Sequence, residues 1–472
     1  MKRFLGLDIG TTSLKAAVFD EHGTRLGLTH KEYTLDTDPV TGFIEFDPEQ
    51  YVVMCKDAIA RLRAQCGEIT ALSVDTQGET LILADENGTP LCPAIVWLDN
   101  RATAEAEEID KAFGRQRVYE VTGQPEITAT WPAAKLLWVK KHRPDVFAKT
   151  KRIFLLEDWI LYRLSGEFVT EPTIQSSTIY FDVTRKTWWP EMLAFIGITA
   201  DQLPRLEKSA TVIGEYEGIV VTTGALYQIA GTIGVGVTDE SRISEMTGTI
   251  MAICVMSDTL PPFNPDSIVP CHLHAVDGKY CLLLWSSTAG MALKWFREQF
   301  APDLSFAELD ELAAKVTAGC DGLTMLPHFC GSTMPRYNPA ATASFTGLTL
   351  SHTKGHFARA IMEAVAFTLR QDLEYTNASR DCEVRITGGG ASGKLWPQIK
   401  ADVTGRTLTT VCESETACIG SAILAMVGVG AYESIHQAVE ATVKLKGTFA
   451  PNGADYEAAY RRYCETENTL IG

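Results

Sequence analysis

The sequence predicts an α/β protein built from two large domains, and three observations lead to that fold class. The chain has 472 residues, which is more than one ordinary hydrophobic core holds, so two domains are expected. A strand, a tip rich in glycine and threonine, and a second strand open the chain, and the same pattern returns at residue 242. Near residue 384 a further strand runs into three consecutive glycines and then a helix. One glycine-bearing hairpin at the start of each half indicates an internal duplication with a ligand held between the halves.

The first hairpin has the residue types of a phosphate site. Backbone N–H groups and hydroxyls converge at its tip and suit phosphate oxygens. Asp8, directly before the tip, is placed to hold the Mg²⁺ that accompanies a nucleoside triphosphate. The alternative is a turn selected only for the turn chemistry of glycine and threonine. The residues predicted to bind ATP here are Gly10, Thr11, Thr12, Ser13 and Lys15.

The remainder of the first half is predicted to consist of hairpins followed by helices. Asn87-Gly88 lies between two apolar segments and predicts a β-hairpin. The other predicted elements are helices at 101–113 and 132–142, a strand or helix start at 152–156, an apolar strand at 218–221 and a small-residue helix at 229–237. The first domain is expected to end there, which divides the chain into residues 1–240 and 241–472.

The second half repeats the hairpin and adds a glycine loop. Residues 242–254 contain a strand, the tip Thr247-Gly248-Thr249 and another strand. The three glycines that begin at Gly388 let a planar ligand or a phosphate approach the backbone closely. Taken alone, that loop is explained equally well as a strand-to-helix turn, but three such loops in one chain favour a nucleotide. The ATP-binding residues predicted in this half are Gly248, Thr249, Gly389, Gly390 and Ala391.

Charge and cysteine usage narrow the class of partner. The chain has 42 Lys and Arg against 59 Asp and Glu, for a net charge of −17. That balance argues against nucleic acid, which requires basic surface. The 12 cysteines are scattered without a C-x-x-C pair, no signal peptide precedes the first strand, and no apolar run is long enough to span a bilayer. We therefore expect a cytoplasmic protein with reduced thiols, no membrane partner and no zinc site.

Taken in order, the motifs resemble those of the FGGY carbohydrate kinases, members of the actin/hexokinase/Hsp70 superfamily. Asp8-x-Gly10-Thr11-Thr12-Ser13 is similar to the first phosphate loop of that family, and Thr247-Gly248-Thr249 to the second. Residues 132–142 and 345–363 resemble the two family signatures, and 388–392 resembles the adenosine motif. The resemblance covers nearly the whole chain. It implies two RNase-H-like domains with ATP, Mg²⁺ and a sugar or polyol in an interdomain cleft, and it is compatible with a homodimer.

The resemblance also implies a sugar side. Gln77-Gly78-Glu79-Thr80 falls where glycerol kinases have Gln-Arg-Glu-Thr and xylulokinases have Gln-Met-His-Gly. A carboxylate, an amide and an indole wall suit a polyhydroxylated ligand. The alternatives are a core tryptophan at 97, a helix N-cap at Asp99 and a solvated carboxylate at Glu79. The residues that the resemblance places on the substrate are Gln77, Glu79, Trp97, Asp99 and Gln228.

Two departures bear on the substrate. The absence of arginine at 78 argues against glycerol, and the absence of histidine at 79 weakens a strict xylulose assignment. The length and the Lys135-Leu-Leu-Trp138-Val segment are nearer the xylulokinase-like branch. The expected reaction is ATP-dependent phosphorylation of the terminal hydroxyl of a ketopentose such as xylulose, with a glycerol- or erythritol-like polyol as the alternative substrate.

A third departure concerns catalysis. Where the family has the carboxylate that takes the substrate proton, this chain has Tyr227. A phenol has a reference pKa of about 10 and is a poor proton acceptor near pH 7. One interpretation is a homologue that binds ATP or sugar but is catalytically impaired. Another is that proton removal matters little in a loose transition state, so that positioning of the substrates and the charge of Mg²⁺ supply the remaining catalysis. A third interpretation is that Glu79 or Asp99 accepts the proton of the substrate hydroxyl in place of the missing carboxylate.

Overall fold

The computed structural model describes residues 2–333 and 337–471. Its strands are β1 Arg3–Ile9, β2 Ser13–Asp20, β3 Arg25–Glu32, β4 Asp36–Thr37, β5 Ile44–Phe46, β6 Ala71–Thr76, β7 Leu81–Ala84, β8 Ala94–Ile95, β9 Arg152–Leu155, β10 Val169–Thr170, β11 Phe181–Asp182, β12 Thr187–Trp188, β13 Arg205–Leu206, β14 Val212–Tyr216, β15 Ile219–Leu226, β16 Arg242–Thr247, β17 Met251–Ser257, β18 Cys271–Leu273, β19 Tyr280–Ser286, β20 Thr324–Leu326, β21 Ser344–Thr346, β22 Glu383–Thr387, β23 Leu408–Val411 and β24 Leu445–Phe449.

Helices alternate with these strands, and three short 3₁₀ turns lie at Ala200–Gln202, Cys320–Gly322 and Gly389–Ala391. The α-helices are α1 Pro48–Cys66, α2 Thr103–Phe113, α3 Arg115–Thr122, α4 Pro132–His142, α5 Pro144–Lys149, α6 Leu156–Ser165, α7 Pro172–Gln175, α8 Pro190–Ile196, α9 Tyr227–Gly234, α10 Gly290–Phe300, α11 Phe306–Ala314, α12 Lys354–Tyr375, α13 Leu395–Thr404, α14 Thr416–Gly428, α15 Ile435–Thr442 and α16 Glu457–Leu470.

The two halves of the chain form sheets with the same topology. The first sheet has the order β3-β2-β1-β6-β15-β14, and the second contains the order β19-β17-β16-β22-β23-β24 with β18 added beyond β19. In each sheet the first three strands pair antiparallel, the next two pairings are parallel, and the last is antiparallel. This agreement supports the duplication expected from the two hairpins. The boundary near residue 240 remains a prediction.

The elements predicted from sequence are present, with small differences at their ends. Asn87-Gly88 connects β7 to β8, which pair antiparallel within a five-stranded sheet. Residues 152–156 contain both alternatives, since β9 ends at Leu155 and α6 begins at Leu156. The small-residue helix begins two residues earlier than expected, at Tyr227, and ends at Gly234. It stops there because Gly236 adopts a φ of +87°, outside the helical region.

Helix α14 joins the two halves through backbone contacts that only glycine permits. It packs against β1, β6 and α9 of the first half. A Cβ added to Gly6 of β1 would lie 1.8 Å from the Cys418 carbonyl oxygen, and one added to Gly420 would lie 1.9 Å from the Ala230 carbonyl oxygen. A mixed hydrophobic cluster, drawn from both halves, surrounds these contacts. Close packing of this kind leaves no room for a methyl group.

No helix in the described part of the chain is long and apolar enough to cross a membrane.

Substitution of Gly6 by alanine tests the close contact between β1 and α14. We expect Gly6→Ala to lower the free energy of unfolding by about 1–3 kcal/mol, because the new methyl group overpacks the contact. Thermal denaturation provides the measurement. Gly447→Ala is the matched control, since a Cβ there would lie 3.4 Å from Thr410 Oγ1 at its nearest, an ordinary contact. Equal melting temperatures for the two variants would contradict the prediction.

Candidate active site

The first glycine-bearing tip is held in shape by its own backbone and by two aromatic side chains. Gly10 N donates to the Ser13 carbonyl oxygen at 3.0 Å, and Tyr33 N donates to the Thr12 carbonyl oxygen at 2.9 Å. The Tyr33 hydroxyl donates to the Gly10 carbonyl. Trp97 Nε1 donates to Thr11 Oγ1 at 3.0 Å. The indole predicted to line the sugar side therefore contacts the predicted phosphate loop directly.

Lys15 lies beside this loop but is paired with the second half. Its Nζ is 2.8 Å from Glu415 Oε2, immediately before α14. The Lys15 side chain is 37% exposed. The prediction that Lys15 contacts ATP thus requires that it leave Glu415 or bridge both groups.

Asp8 has an acidic neighbour that the sequence analysis did not identify. Asp8 and Asp75 are paired positions on the parallel strands β1 and β6. Ser421 Oγ of α14 donates to Asp75 Oδ2 at 2.5 Å. Burial raises the pKa of Asp8 to about 6, and burial together with the charge of Asp8 raises the pKa of Asp75 well above its usual range. The signal in the sequence was an aspartate near the end of each of two apolar strands.

The Asp8 carboxyl fits the metal role predicted for it. Within the described residues, Asp8 Oδ1 is buried and has no hydrogen-bond partner. A hard cation such as Mg²⁺ prefers oxygen ligands of this kind and binds through one or two carboxylates plus substrate phosphates. The assignment of Asp8 as the Mg²⁺ ligand therefore remains a prediction that the local chemistry supports.

The second tip and the triple-glycine loop are in contact with each other. A Cβ on Gly388 would lie 2.4 Å from the Thr247 carbonyl oxygen, and one on Gly390 would lie 2.6 Å from Thr247 Cγ2. Gly248 N donates to the Ile250 carbonyl oxygen at 2.9 Å. A Cβ at Gly389 would meet nothing within 4 Å, so one face of the loop is open. The residues that the two adjoining loops bring together include Gly248, Thr249, Gly389, Gly390 and Ala391.

A buried ion pair contacts Thr247, the first residue of the second tip. Lys400 Nζ lies 2.9 Å from Glu245 Oε1, and both side chains are 0% exposed. The same ammonium group donates to Thr247 Oγ1 at 2.7 Å, and the Thr247 hydroxyl donates to Glu245. Neither Lys400 nor Glu245 was singled out from the sequence, because 155 positions separate them.

Asp99, which was predicted to contact the substrate, has both carboxylate oxygens hydrogen-bonded within the protein. Its Oδ2 accepts from Ile44 N at 2.6 Å and from Arg101 Nη2 at 2.8 Å. Its Oδ1 accepts from Arg101 N at 2.9 Å and from Arg101 Nε at 2.8 Å. The N-cap position of α2 is Ala102, so Asp99 does not cap that helix either. It orients Arg101, whose guanidinium lies 3.9 Å from the centre of the Phe43 ring.

The Gln77–Thr80 segment is held by a buried lysine that the sequence analysis quoted only as part of a signature. Lys135 Nζ donates to the Val96 carbonyl oxygen at 2.9 Å and to the Glu79 carbonyl oxygen at 3.3 Å. Burial lowers the pKa of Lys135 to about 7.

Within the described residues, Gln77 Oε1 is buried without a partner. An amide oxygen of this kind can accept a hydrogen bond from a substrate hydroxyl.

Glu79 itself has an unusual backbone and environment. Its φ is +60°, a region that costs about 1–3 kcal/mol for a residue with a side chain and that clusters at functional sites. The residue as a whole is partly exposed, yet desolvation is strong enough to raise the pKa of its carboxyl to about 7. Ser177 lies close to the turn that carries Glu79, and its hydroxyl donates to the Ile174 carbonyl oxygen at 2.9 Å.

Tyr227 is the first residue of α9 and lies where the two halves meet. Burial raises the pKa of its hydroxyl, and the charges of Glu79 and Asp8 from the first half, followed by Cys254 from β17, raise it further. The phenol is therefore neutral near pH 7 and able to donate a hydrogen bond. The adjacent Gln228 is partly buried, and its Oε1 has no partner among the described residues.

Two family models together match most of the chain. The N-terminal domain of the FGGY family of carbohydrate kinases matches residues 3–243, and the C-terminal domain of that family matches residues 254–429.

Individual proteins with known names show the same similarity. A xylulose kinase of Bacillus subtilis (strain 168) is 27% identical over 97% of this chain and 94% of its own length. A gluconokinase of the same organism is 29% identical over 91% of this chain and 88% of its own length. The crystal structure of ligand-bound xylulose kinase from Lactobacillus acidophilus superimposes with a TM-score of 0.91, at 26% identity, over 100% of this chain and 98% of that one.

Replacement of Lys400 tests the buried pair beneath the second tip. We expect Lys400→Met to lower the free energy of unfolding by about 3–5 kcal/mol, because Glu245 would be left buried and unpaired. Urea unfolding gives the measurement, and adding Glu245→Leu to the variant should restore much of the loss. Lys294→Met is the control, since Lys294 is 63% exposed and lies 3.9 Å from Glu298. An effect no larger than that of the control would refute the stabilising role of the pair.

Proposed function

The chain belongs to the FGGY family of carbohydrate kinases, and on that premise we propose that it transfers the γ-phosphoryl group of ATP to the terminal hydroxyl of a sugar or polyol. The observation that carries this proposal is the presence of three glycine-bearing loops beside a polar segment, residues 77–80. Trp97, which adjoins that segment, donates a hydrogen bond to Thr11 of the first loop. Phosphoryl transfer requires alignment, neutralisation of phosphate charge and removal of the hydroxyl proton.

The residues have separate tasks in the proposed reaction. The backbone and hydroxyl groups of residues 10–13 and 247–249 would bind phosphate oxygens, and Gly389, Gly390 and Ala391 would lie against the adenosine. Asp8 would hold Mg²⁺, which neutralises phosphate charge when bound. Closure of the two halves would exclude water, a competing acceptor of the phosphoryl group.

We propose a ketopentose such as xylulose as the substrate. Gln77, Glu79, Trp97 and Gln228 would contact it, whereas Asp99 is occupied by Arg101 and Ile44 and is not included. The similarity to xylulose kinases supports the ketopentose, and the similarity to a gluconokinase makes a sugar acid the comparison of interest. A glycerol- or erythritol-like polyol is the remaining candidate. We also propose a cytoplasmic protein, and a homodimer remains a prediction.

A second function is favoured by one observation, the phenol at position 227. If nothing accepts the hydroxyl proton, the chain would be a homologue that binds ATP and sugar and turns them over slowly. Loss of a general base typically costs about 10²–10⁴-fold in rate.

A substrate panel tests the proposed reaction. We expect ADP release that depends on added xylulose or ribulose to exceed the release seen with gluconate, glycerol or erythritol, as measured by a coupled assay. Asp8→Asn is the matched negative control, because it removes the proposed Mg²⁺ ligand with little change in size. If no compound in the panel releases ADP above the rate without substrate, the proposed activity is wrong.

The Tyr227→Asp variant distinguishes the two functions. If the chain is an active kinase, kcat of this variant should stay within about tenfold of the parent value, because a proton acceptor is already present. If the chain is impaired, kcat should rise by about 10²–10⁴-fold. Calorimetric titration with ATP controls for loss of nucleotide binding. A rise of that size would decide in favour of the impaired homologue.

A further inference from the structure

The proposed reaction leaves one task unassigned, which is removal of the proton from the attacking hydroxyl. The family position for this task holds Tyr227, and its neutral phenol donates rather than accepts. The sequence left two acidic candidates, Glu79 and Asp99. The structure separates them by their contacts.

Asp99 cannot take the proton without losing its structural contacts. Both carboxylate oxygens already accept from Arg101, and one also accepts from Ile44 N. Burial raises the pKa of the Asp99 carboxyl, but the hydrogen bonds and charge of Arg101 together with the Ile44 N–H outweigh it and hold that pKa below its usual value. The side chain is 0% exposed, so a substrate hydroxyl has no path to it.

The carboxyls at the ends of β1 and β6 are excluded on other grounds. Asp75 is 0% exposed, and Ser421 donates to its Oδ2. Its Oδ1, which has no partner among the described residues, is therefore closed to a substrate hydroxyl by burial. Asp8 lies in the position proposed for the Mg²⁺ ligand, and a carboxylate that holds a cation is a weak proton acceptor.

Glu79 differs from Asp75 and Asp99 in its exposure to solvent, and from Asp99 in its lack of a pairing guanidinium among the described residues. It is partly exposed and lies in the turn between β6 and β7. The turn lies beside the start of α9, because a Cβ on the preceding Gly78 would be 3.2 Å from Cδ1 of Leu226, the residue before Tyr227. Within the described residues, the nearby Arg101 pairs with Glu45 and Asp99 and not with Glu79, and the hydroxyl of Ser177 donates to the Ile174 carbonyl oxygen.

The turn that carries Glu79 is built to hold it there. A Cβ on Gly78 would lie 3.0 Å from Ser177 Oγ and 3.2 Å from Leu226 Cδ1, so the backbone packs tightly against the residue that precedes Tyr227. Lys135 Nζ fixes the carbonyl of Glu79. The left-handed backbone at Glu79 is thus held between the contact at Gly78 and the hydrogen bond from Lys135.

We propose that Glu79 is the catalytic residue that accepts the hydroxyl proton, an inference that rests on the proposed kinase function. As the bond from the substrate oxygen to the γ-phosphorus forms, the O–H bond breaks and its proton passes to a Glu79 carboxylate oxygen. The bond between the γ-phosphorus and the bridging oxygen breaks, and its electron pair leaves with ADP. Glu79 returns the proton to water when the cleft opens.

The environment of Glu79 suits this task. Desolvation raises the pKa of its carboxyl to about 7, against the opposing effect of the Lys135 charge, and a base whose pKa lies near the operating pH is the most effective. Because the acceptor must be deprotonated, kcat/KM should fall as the pH drops below about 7. The neighbouring elements place three groups around the turn: Lys135 of α4, bonded to the Glu79 carbonyl, Ser177 after α7, packed against Gly78, and Tyr227 of α9, which follows Leu226.

The test is a set of variants assayed with the best substrate of the panel. We expect Glu79→Gln to lower kcat by about 10²–10⁴-fold with an unchanged KM for ATP, and to remove the acidic limb of the pH profile. Adding Tyr227→Asp to Glu79→Gln should restore most of the lost rate, because a carboxylate is again available on the opposite side. Glu191→Gln is the matched control, since Glu191 is 59% exposed on α8.

Two results would overturn the inference. One is a Glu79→Gln enzyme with parental kcat, and the other is a loss confined to the KM for the sugar, which would mark Glu79 as a binding residue only. Calorimetric binding of ATP verifies that each variant is folded, and Glu79→Asp provides a second, milder substitution with an expected intermediate kcat. Failure of the kinase function is distinguishable, because the parent itself would then release no substrate-dependent ADP.

Discussion

The contact of α14 with the first sheet is the constraint on which the candidate site depends. At Gly6 and Gly420 the backbones of the two halves touch without an intervening side chain. With the helix fixed at that distance, Ser421 reaches Asp75 and Glu415 reaches Lys15. The groups that flank the first glycine-bearing tip, Asp75 and Lys15, are therefore held by residues from the last quarter of the chain, so the surroundings of the tip depend on the assembled protein.

Local patterns were sufficient to predict the fold but only part of the site. Alternating apolar segments and glycine tips are short-range signals, and they located the hairpins and the triple-glycine loop correctly. The contacts that decide the roles of Asp99 and Asp75 are not short-range. Ser421 and Asp75 are 346 positions apart, and nothing near Asp99 in the sequence indicated that Ile44 N would occupy one of its oxygens. Charge partners of buried groups depend on tertiary packing, which periodicity does not reveal.

Buried polar groups of this chain fall into two kinds that differ in what they can do. Lys400 and Glu245, like Asp99 and Arg101, have their charges matched and their hydrogen bonds filled, and such pairs fix geometry. The unpartnered oxygens of Gln77 and Gln228 and the carboxyl of Glu79 can still accept hydrogen bonds from a ligand. A site that must exchange hydrogen bonds with an incoming ligand needs groups of the second kind, held in place by groups of the first.

The hydrogen bond between Trp97 Nε1 and Thr11 Oγ1 joins a residue of the proposed sugar site to a residue of the proposed phosphate site. An occupant that draws the indole toward itself alters the hydroxyl available to the phosphates, and the reverse also holds. Thermodynamic linkage requires that the two effects be equal, so that the sugar changes the affinity for nucleotide by the same factor as the nucleotide changes the affinity for sugar. In the proposed reaction, this single side-chain contact would couple the binding of the two substrates, in addition to any closure of the two halves.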